Sequence, residues 1–202
     1  WVIQQVSENR GMTVLNGARA AGAERHGDEV VVRLGDGTTV SGSHCLMAVG
    51  AIPNTAHIGL EEAGVRLTAS GHIEVDRVSR TSARGVYAAG DCTPVFALAS
   101  VAAMQGRIAM WHSLGDSVAP LDLRTVSANV FTAPEIATVG CSQTDIDTGV
   151  VRGLTMMLPL RGNARAKMQA LHDGFVKIFC LPTTCIIVGA VVVAPAASEL
   201  IH

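Results

Sequence analysis

Two short runs in this sequence are apolar at every position and then stop at glycine, and together they limit the possible folds more than any other feature. Cys45-Leu46-Met47-Ala48-Val49 ends at Gly50, with Pro53-Asn54 just beyond it. Val86-Tyr87-Ala88-Ala89, entered from Gly85, ends at Gly90-Asp91. A strand with one wet face alternates apolar and polar residues. A run without alternation is expected to be covered on both faces, as in a parallel sheet carrying helices on each side. In such α/β layouts ligands collect at the carboxyl ends of the strands. With 202 residues, 49% of them hydrophobic, the chain has enough apolar material for one or two packed domains.

Around these runs the pattern predicts the remaining elements. Trp1 to Asn9 has helical spacing, Arg10-Gly11 stops it, and an extended segment, Met12 to Asn16, is expected next. Gly17 to Glu24, Glu29 to Leu34 and Thr38 to Ser41 read as short strands of an antiparallel meander. The last two are joined through Gly35-Asp36-Gly37, which has hairpin-turn chemistry. Leu98, Val101, Met104, Ile108 and Trp111 share one face of a helix that begins soon after Gly90-Asp91. From Leu121 the pattern changes. Val126 to Phe131, Thr155 to Pro159, Phe175 to Cys180 and Cys185 to Val193 read as strands with helical pieces between them, a separate α+β unit. Boundaries are expected near residues 50 and 123.

The stretch Thr81 to Arg107, TSARGVYAAGDCTPVFALASVAAMQGR, carries the most chemistry. A strand ending in Gly90-Asp91 would place one carboxylate at a sheet edge, where it can accept hydrogen bonds from sugar-alcohol hydroxyls. The loop Cys92 to Phe96 then delivers the first turn of a helix, with amides at Ala97, Leu98 and Ala99 expected to be unpaired and aimed at the same place. A helix start favours negative charge, as a flavin develops at its N1 and O2 edge on taking up hydride. On spacing alone the alternative stands equally: Gly-Asp closes a strand, and the helix fills the core.

Several functions are disfavoured by composition. Fifteen Lys plus Arg against 17 Asp plus Glu leave a net charge of -2 without like-charged runs, which suits neither nucleic acid nor an anionic membrane. The longest apolar stretch, Ile186 to Ala197, is twelve residues interrupted by Gly189 and Pro195, too short for a bilayer of ~30 Å. Trp1 is not a natural start and no signal peptide follows it, so the cytoplasm is the expected location. Five cysteines, odd in number and mostly isolated, are expected to be reduced. Cys180 and Cys185 flank Leu181-Pro182-Thr183-Thr184, which reads as a hairpin turn in which cross-strand cysteines could meet, without a basic neighbour to activate a thiol. Gly35-Asp36-Gly37 imitates a phosphate loop but lacks a following helix. His172, His202, Cys180 and Cys185 lack zinc-site spacing, so no metal is expected. Arg161, Asn163, Arg165 and Lys167 read as a solvated basic patch, with a ligand or a second subunit as the alternative.

Thr81 to Arg107 resembles the second FAD motif of the pyridine nucleotide-disulfide oxidoreductase family, in which an apolar strand and Gly-Asp precede an Ala-rich helix. That resemblance implies Asp91 on the FAD ribityl chain, backbone amides of Ala97, Leu98 and Ala99 at the isoalloxazine ring, and Gly90 allowing close approach. Upstream, Val49-Gly50-Ala51-Ile52-Pro53-Asn54-Thr55 is similar to the family's Gly, two residues, Pro-Asn pattern at the NAD(P)H-facing strand edge. By that likeness Val49 and Gly50 are backbone candidates for NAD(P)H, and Ala20 lies near its adenine end. Many relatives have Arg after this glycine where Ala51 stands here. Downstream, Val130 to Gly140 and Gly174 to Ile201 resemble the family's interface domain, which implies a homodimer. The resemblance covers essentially the whole chain. It extends in particular to dihydrolipoamide-dehydrogenase-like flavoproteins of mycobacteria described as NAD(P)H quinone reductases, through LASVAAMQGRIAM and NARAKM.

The implied fold class is α/β and α+β: the second part of a two-dinucleotide-binding-domain flavoprotein plus a partial α+β dimer-interface domain. Residues 1–50 would be the C-terminal half of the NAD(P)H-binding domain, 51–123 the returning segment of the FAD-binding domain, and 124–202 the truncated interface domain. The family's two Gly-rich fingerprints and its redox cysteine pair are expected before Trp1. Its His-Glu base is expected after His202, which itself sits too early for that role. The implied activity is hydride transfer from NAD(P)H through FAD to an acceptor, a quinone; disulfide reduction is the alternative. The isolated chain is expected to be inactive. A non-catalytic dimerisation fragment that binds no flavin is the contrasting hypothesis. The choice between NADH and NADPH rests on residues outside this stretch.

Overall fold

The computed structural model describes residues 2–202, so Trp1, the first position of the expected amino-terminal helix, lies outside the described residues. Contacts gather residues up to 51 into one unit and 52–202 into another.

In the first unit, helix α1 spans Val2–Asn9 and buries Val6. It stops where Gly11 turns to φ +88°, a backbone region open to glycine, while the Gly11 N–H donates to the Glu8 carbonyl at 2.9 Å. Strands β1 (Ala20–His26), β2 (Glu29–Leu34) and β3 (Thr39–Gly42) form the expected meander, antiparallel in the order β1-β2-β3. Between β2 and β3 the Asp36 carboxylate accepts hydrogen bonds from the Thr38 amide (2.9 Å) and hydroxyl (2.7 Å), which closes the turn and holds its carboxyl below the ordinary range. Gly35-Asp36-Gly37 is thus a hairpin turn.

Two expected strands are not formed here. Met12 to Asn16 and the apolar run Cys45 to Val49 have no strand assignment, and the run is open to solvent, with Leu46 89% and Val49 83% exposed. A doubly covered strand needs a hydrogen-bonding neighbour and helices on its faces. Among the described residues the three strands of this unit pair only with one another.

The second unit begins with a turn-rich stretch, 52–98, whose extended pairings are two isolated bridges, Leu67 with Ile73 and Arg80 with Tyr87. The strand expected at 85–89 is therefore reduced to one bridge at Tyr87, for the same lack of a neighbour. Helix α2 follows at Ala99–Ser113. Its buried residues are Val101, Gln105, Ile108 and Ala109, so the packed face is rotated from the expected stripe: Val101 and Ile108 remain in it, whereas Trp111 is 46% exposed. A polar residue occupies the buried face because Gln105 finds partners there, as described below.

Beyond α2 lie β4 (Ala128–Val130), β5 (Glu135–Gly140), helix α3 (Gln143–Asp147), β6 (Leu154–Pro159), helix α4 (Ala164–Met168), β7 (Phe175–Cys180), β8 (Ile187–Ala194) and helix α5 (Ala197–Leu200). The strands make one antiparallel sheet in the order β4-β5-β8-β7-β6. Strand β5 was not anticipated as a separate element, and it is the neighbour that places β8 inside the sheet. Ala137 of β5, Val192 and Ala194 of β8 and Ala197 of α5 form a buried cluster under Leu160, Val176 and Ile201. Phe179 of β7 is fully buried. Burying a side chain of this size stabilises by ~1.5–3 kcal/mol.

Asn163 starts α4 by accepting a hydrogen bond from the Ala166 amide at 3.0 Å, while Arg161, Arg165 and Lys167 are exposed in the single chain. Residues 181–186 turn between β7 and β8 as expected. The register sets Ile187, not Cys185, opposite Cys180, and both thiols are free. Among the described residues no group of His, Cys, Asp and Glu could hold a metal, and no helix is long and apolar enough to cross a membrane.

Candidate flavin and nucleotide sites

Residues 88–105 form a compact polar arrangement in the second unit. The chain enters from Tyr87, whose hydroxyl lies 2.7 Å from His112 Nδ1 near the end of α2. It turns at Gly90, where φ is +88° and an added Cβ would sit 3.4 Å from Ala102 Cβ. The positive φ favours glycine, while a Cβ there would only touch Ala102 at ordinary contact distance. The Gly90 amide donates to Gln105 Oε1 at 2.9 Å, and the Gln105 side-chain amide donates to Thr93 Oγ1 at 3.3 Å. The Thr93 hydroxyl in turn donates to the Gly90 carbonyl at 2.8 Å, and the Thr93 amide donates to that carbonyl at 2.9 Å. Thr93 is 1% exposed and Gln105 4%. Each buried polar group therefore has a partner. One residue earlier, the Cys92 carbonyl accepts from the Ile73 amide at 2.8 Å, which joins the turn to the stretch before it.

Asp91 projects from this turn into solvent and accepts no hydrogen bond among the described residues. Helix α2 starts at Ala99, eight residues later, with Leu98 extended at the N-cap and no side chain capping the first turn. The helix begins at Ala99, so one expectation is corrected: the Leu98 amide is not free, because it already donates to the Phe96 carbonyl at 2.8 Å. The amides of Ala97, Ala99 and Ser100 have no protein acceptor among the described residues. A bare carboxylate after a positive-φ glycine, together with uncapped helix amides, suits a polyol chain and an electron-rich ring edge.

Two nearby cavities do not coincide with this edge. One of about 630 Å³ lies among Val75, Ser79, Val95, Gln105, Ile108 and Leu121, and another of about 600 Å³ among Arg66, Glu74, Arg80, Arg84, Tyr87 and His112. Asp91 and residues 97–99 line neither.

The nucleotide candidates belong to the first unit. Ala20 opens β1, exposed and opposite Leu34. Val49 is exposed, and Gly50 has φ +108° with open space where a Cβ would stand. No strand pairing among the described residues joins Ala20 to Val49 or Gly50.

Thr93 and Gln105 were missed by sequence reasoning, which took the loop after Asp91 as a bare connector and the helix as purely apolar in its packing. A faint signal existed. Thr93 lies three residues after a turn glycine, and Gln105 lies four residues after the buried Val101, on the same helical face.

The fold, a helix with a three-stranded meander in the first unit and an antiparallel five-stranded sheet with short helices in the second, has clear relatives. The chain belongs to the pyridine nucleotide-disulphide oxidoreductase family, whose model matches residues 2–106; the model of that family's dimerisation domain matches 126–202. Members of the family use FAD and NAD(P)H. The chain is 56% identical over 200 residues to an NAD(P)H dehydrogenase (quinone) of Mycobacterium tuberculosis, covering 99% of this chain and 41% of that protein. It is 32% identical to a dihydrolipoyl dehydrogenase of Geobacillus stearothermophilus, covering 99% of this chain and 43% of that protein. Among solved structures it is similar to LpdA from Mycobacterium tuberculosis, with a TM-score of 0.92, 56% identity, and 99% and 44% of the two chains covered. The HOCl-induced flavoprotein disulfide reductase RclA from Escherichia coli has the same fold, with a TM-score of 0.88 at 23% identity over 99% of this chain and 46% of that one. The chain thus spans about two fifths of the length of the curated relatives it matches.

Proposed function

We propose that this chain is the carboxyl-proximal portion of a cytoplasmic, homodimeric, FAD-dependent oxidoreductase that takes hydride from NAD(P)H and reduces a quinone. Residues 1–50 contribute to the NAD(P)H-binding domain, 51–123 return to the FAD-binding domain, and 124–202 form the dimer interface. The observation that carries this reading is an exposed Asp91 carboxylate, unpartnered among the described residues, after the positive-φ Gly90 in the loop that leads to an uncapped helix start.

FAD, when bound, supplies a carrier that accepts a hydride and releases two electrons to a second substrate. The chain's own residues hold it. Asp91 accepts hydrogen bonds from ribityl hydroxyls, and Gly90 keeps the backbone free of a Cβ on the side of approach. The amides of Ala97, Ala99 and Ser100 favour negative charge at the ring edge that faces them. Leu98 contributes its extended backbone but not its amide. In the first unit, Val49 and Gly50 offer backbone groups to NAD(P)H, with Ala20 toward the adenine.

Quinone as acceptor is supported by the 56% identity to a protein of that name, against 32% to a dihydrolipoyl dehydrogenase. In the full-length protein we expect flavin absorbance near ~450 nm that NADH or NADPH bleaches and a quinone restores. Reoxidation by lipoamide but not by quinones would select the disulfide-reductase reading. Colourless protein that still dimerises would select the scaffold. Asp91→Ala is expected to weaken FAD retention by tenfold or more, while stability changes by less than ~0.5 kcal/mol because Asp91 is exposed and unpaired. Unchanged flavin occupancy would remove Asp91 from this role.

A further inference from the structure

We infer that Gln105 is a positioning residue for the cofactor edge, acting through the Gly90–Thr93 turn and without touching the ligand. The inference rests on the flavin reading and goes beyond it. Asp91 has no partner of its own, so its direction is set by the backbone on either side. On one side stands Gly90, in a conformation that its neighbours must hold, with its amide on Gln105 Oε1 at 2.9 Å. On the other side, Thr93 returns two hydrogen bonds to the Gly90 carbonyl and receives one from Gln105. Three hydrogen bonds therefore close a ring, Gly90 amide to Gln105, Gln105 to the Thr93 hydroxyl, and Thr93 hydroxyl to the Gly90 carbonyl.

The geometry makes Gln105 hard to replace. Only a side chain with an acceptor and a donor on one planar group satisfies both the Gly90 amide and Thr93. Because Gln105 belongs to α2, the same group ties the Asp91 turn to the helix whose start supplies the uncapped amides. Carboxylate and amides are thereby set at one spacing. A neutral amide also does this at any pH. A carboxyl group in its place could donate only while protonated, and ionising it at a site 4% exposed would load the ring with a buried charge.

The test uses full-length protein with Gln105→Met, Gln105→Glu and Thr93→Val. The readouts are FAD dissociation constant, thermal midpoint, and hydrogen exchange of the Gly90 amide without flavin. We expect Gln105→Met to weaken FAD at least tenfold and to expose the Gly90 amide. Thr93→Val, which keeps the volume, should weaken FAD severalfold. Gln105→Glu should bind FAD nearly as wild type at pH 5 and lose affinity progressively toward pH 8, a reversible dependence that simple loss of packing would not produce. Folded variants with wild-type FAD affinity at every pH would overturn the inference while leaving the flavin reading intact. If wild-type protein bound no FAD, the flavin reading would fall and the positioning role with it, even where the Gly90 amide stayed protected. Should Gln105→Met fail to fold, the pH profile of Gln105→Glu decides the matter.

Discussion

The sheet of residues 128–194 and the stretch 52–98 satisfy their backbones in different ways. In the sheet, β8 pairs with β5 on one side and with β7 on the other, the latter ladder shifting register between Phe179 and Cys180, and β4 and β6 close the sides. In 52–98, scattered backbone hydrogen bonds such as Thr68 amide to His72 carbonyl and Glu74 amide to Arg66 carbonyl are supplemented by polar side chains. Thr55 donates to the Gly71 carbonyl at 2.6 Å, and Ser82 bridges the Arg66 amide and the Gly64 carbonyl. Asp76 collects the amides of Val78 and Arg80 and the Arg80 guanidinium. The difference shows where stability and function part. A ladder can be dense and apolar, whereas 52–98 combines short backbone turns with single side-chain hydrogen bonds.

The largest expected effect lies in the sheet. Gly140 ends β5 at φ +72°, and a Cβ there would overlap the Val188 carbonyl of the adjoining backbone. Gly140→Ala is expected to destabilise by ~3–5 kcal/mol in thermal or urea unfolding, since strain and overlap coincide. A loss below ~1 kcal/mol would mean that the β5–β8 ladder is looser than the contrast requires.

A smaller loss is expected from the turn-rich stretch. Asp76→Ala removes three hydrogen bonds at a partly exposed site and should cost on the order of 1–2 kcal/mol, with faster exchange of the Val78 and Arg80 amides and little change in the sheet. Equal loosening of both regions would deny that they are separately supported.

The smallest effect is a titration. Partial burial pushes the Asp76 carboxyl up, but the Arg80 side chain, the Arg80 and Val78 amides and the Arg80 charge together hold it below its ordinary value of 3.8. The lowered value belongs to the folded state, so its contribution is complete above pH ~4 and is lost as pH falls through the folded value. Proton-detected titration should place the Asp76 midpoint below 3.8, and Arg80→Ala should move it upward. A midpoint indifferent to Arg80 would show that this ion pair does not form in solution.

Much of this arrangement was legible in the residues. The Asp36 turn, strands β2 and β7, helix α2 and the Gly90-Asp91 corner follow from local rules: glycine where φ is positive, valine runs where a strand is half buried, small residues where a helix begins. The Gln105–Thr93 pairing was not legible, because its partners are twelve residues apart and meet only when α2 folds back on the turn. Nor was the exposure of Leu46 and Val49, since an apolar run states that cover is wanted without supplying it.

What the sequence alone determined is the set of local elements and the chemistry they can offer: a carboxylate after a glycine, a helix start after a short loop, strands fit for an antiparallel sheet. The tertiary structure decided which of those offers are taken up, occupying the Leu98 amide, leaving Asp91 open and placing Gln105 behind Gly90. The physical reason is that backbone torsions and turn chemistry act over a few residues, whereas burial and hydrogen-bond satisfaction depend on neighbours that only the folded chain brings within reach.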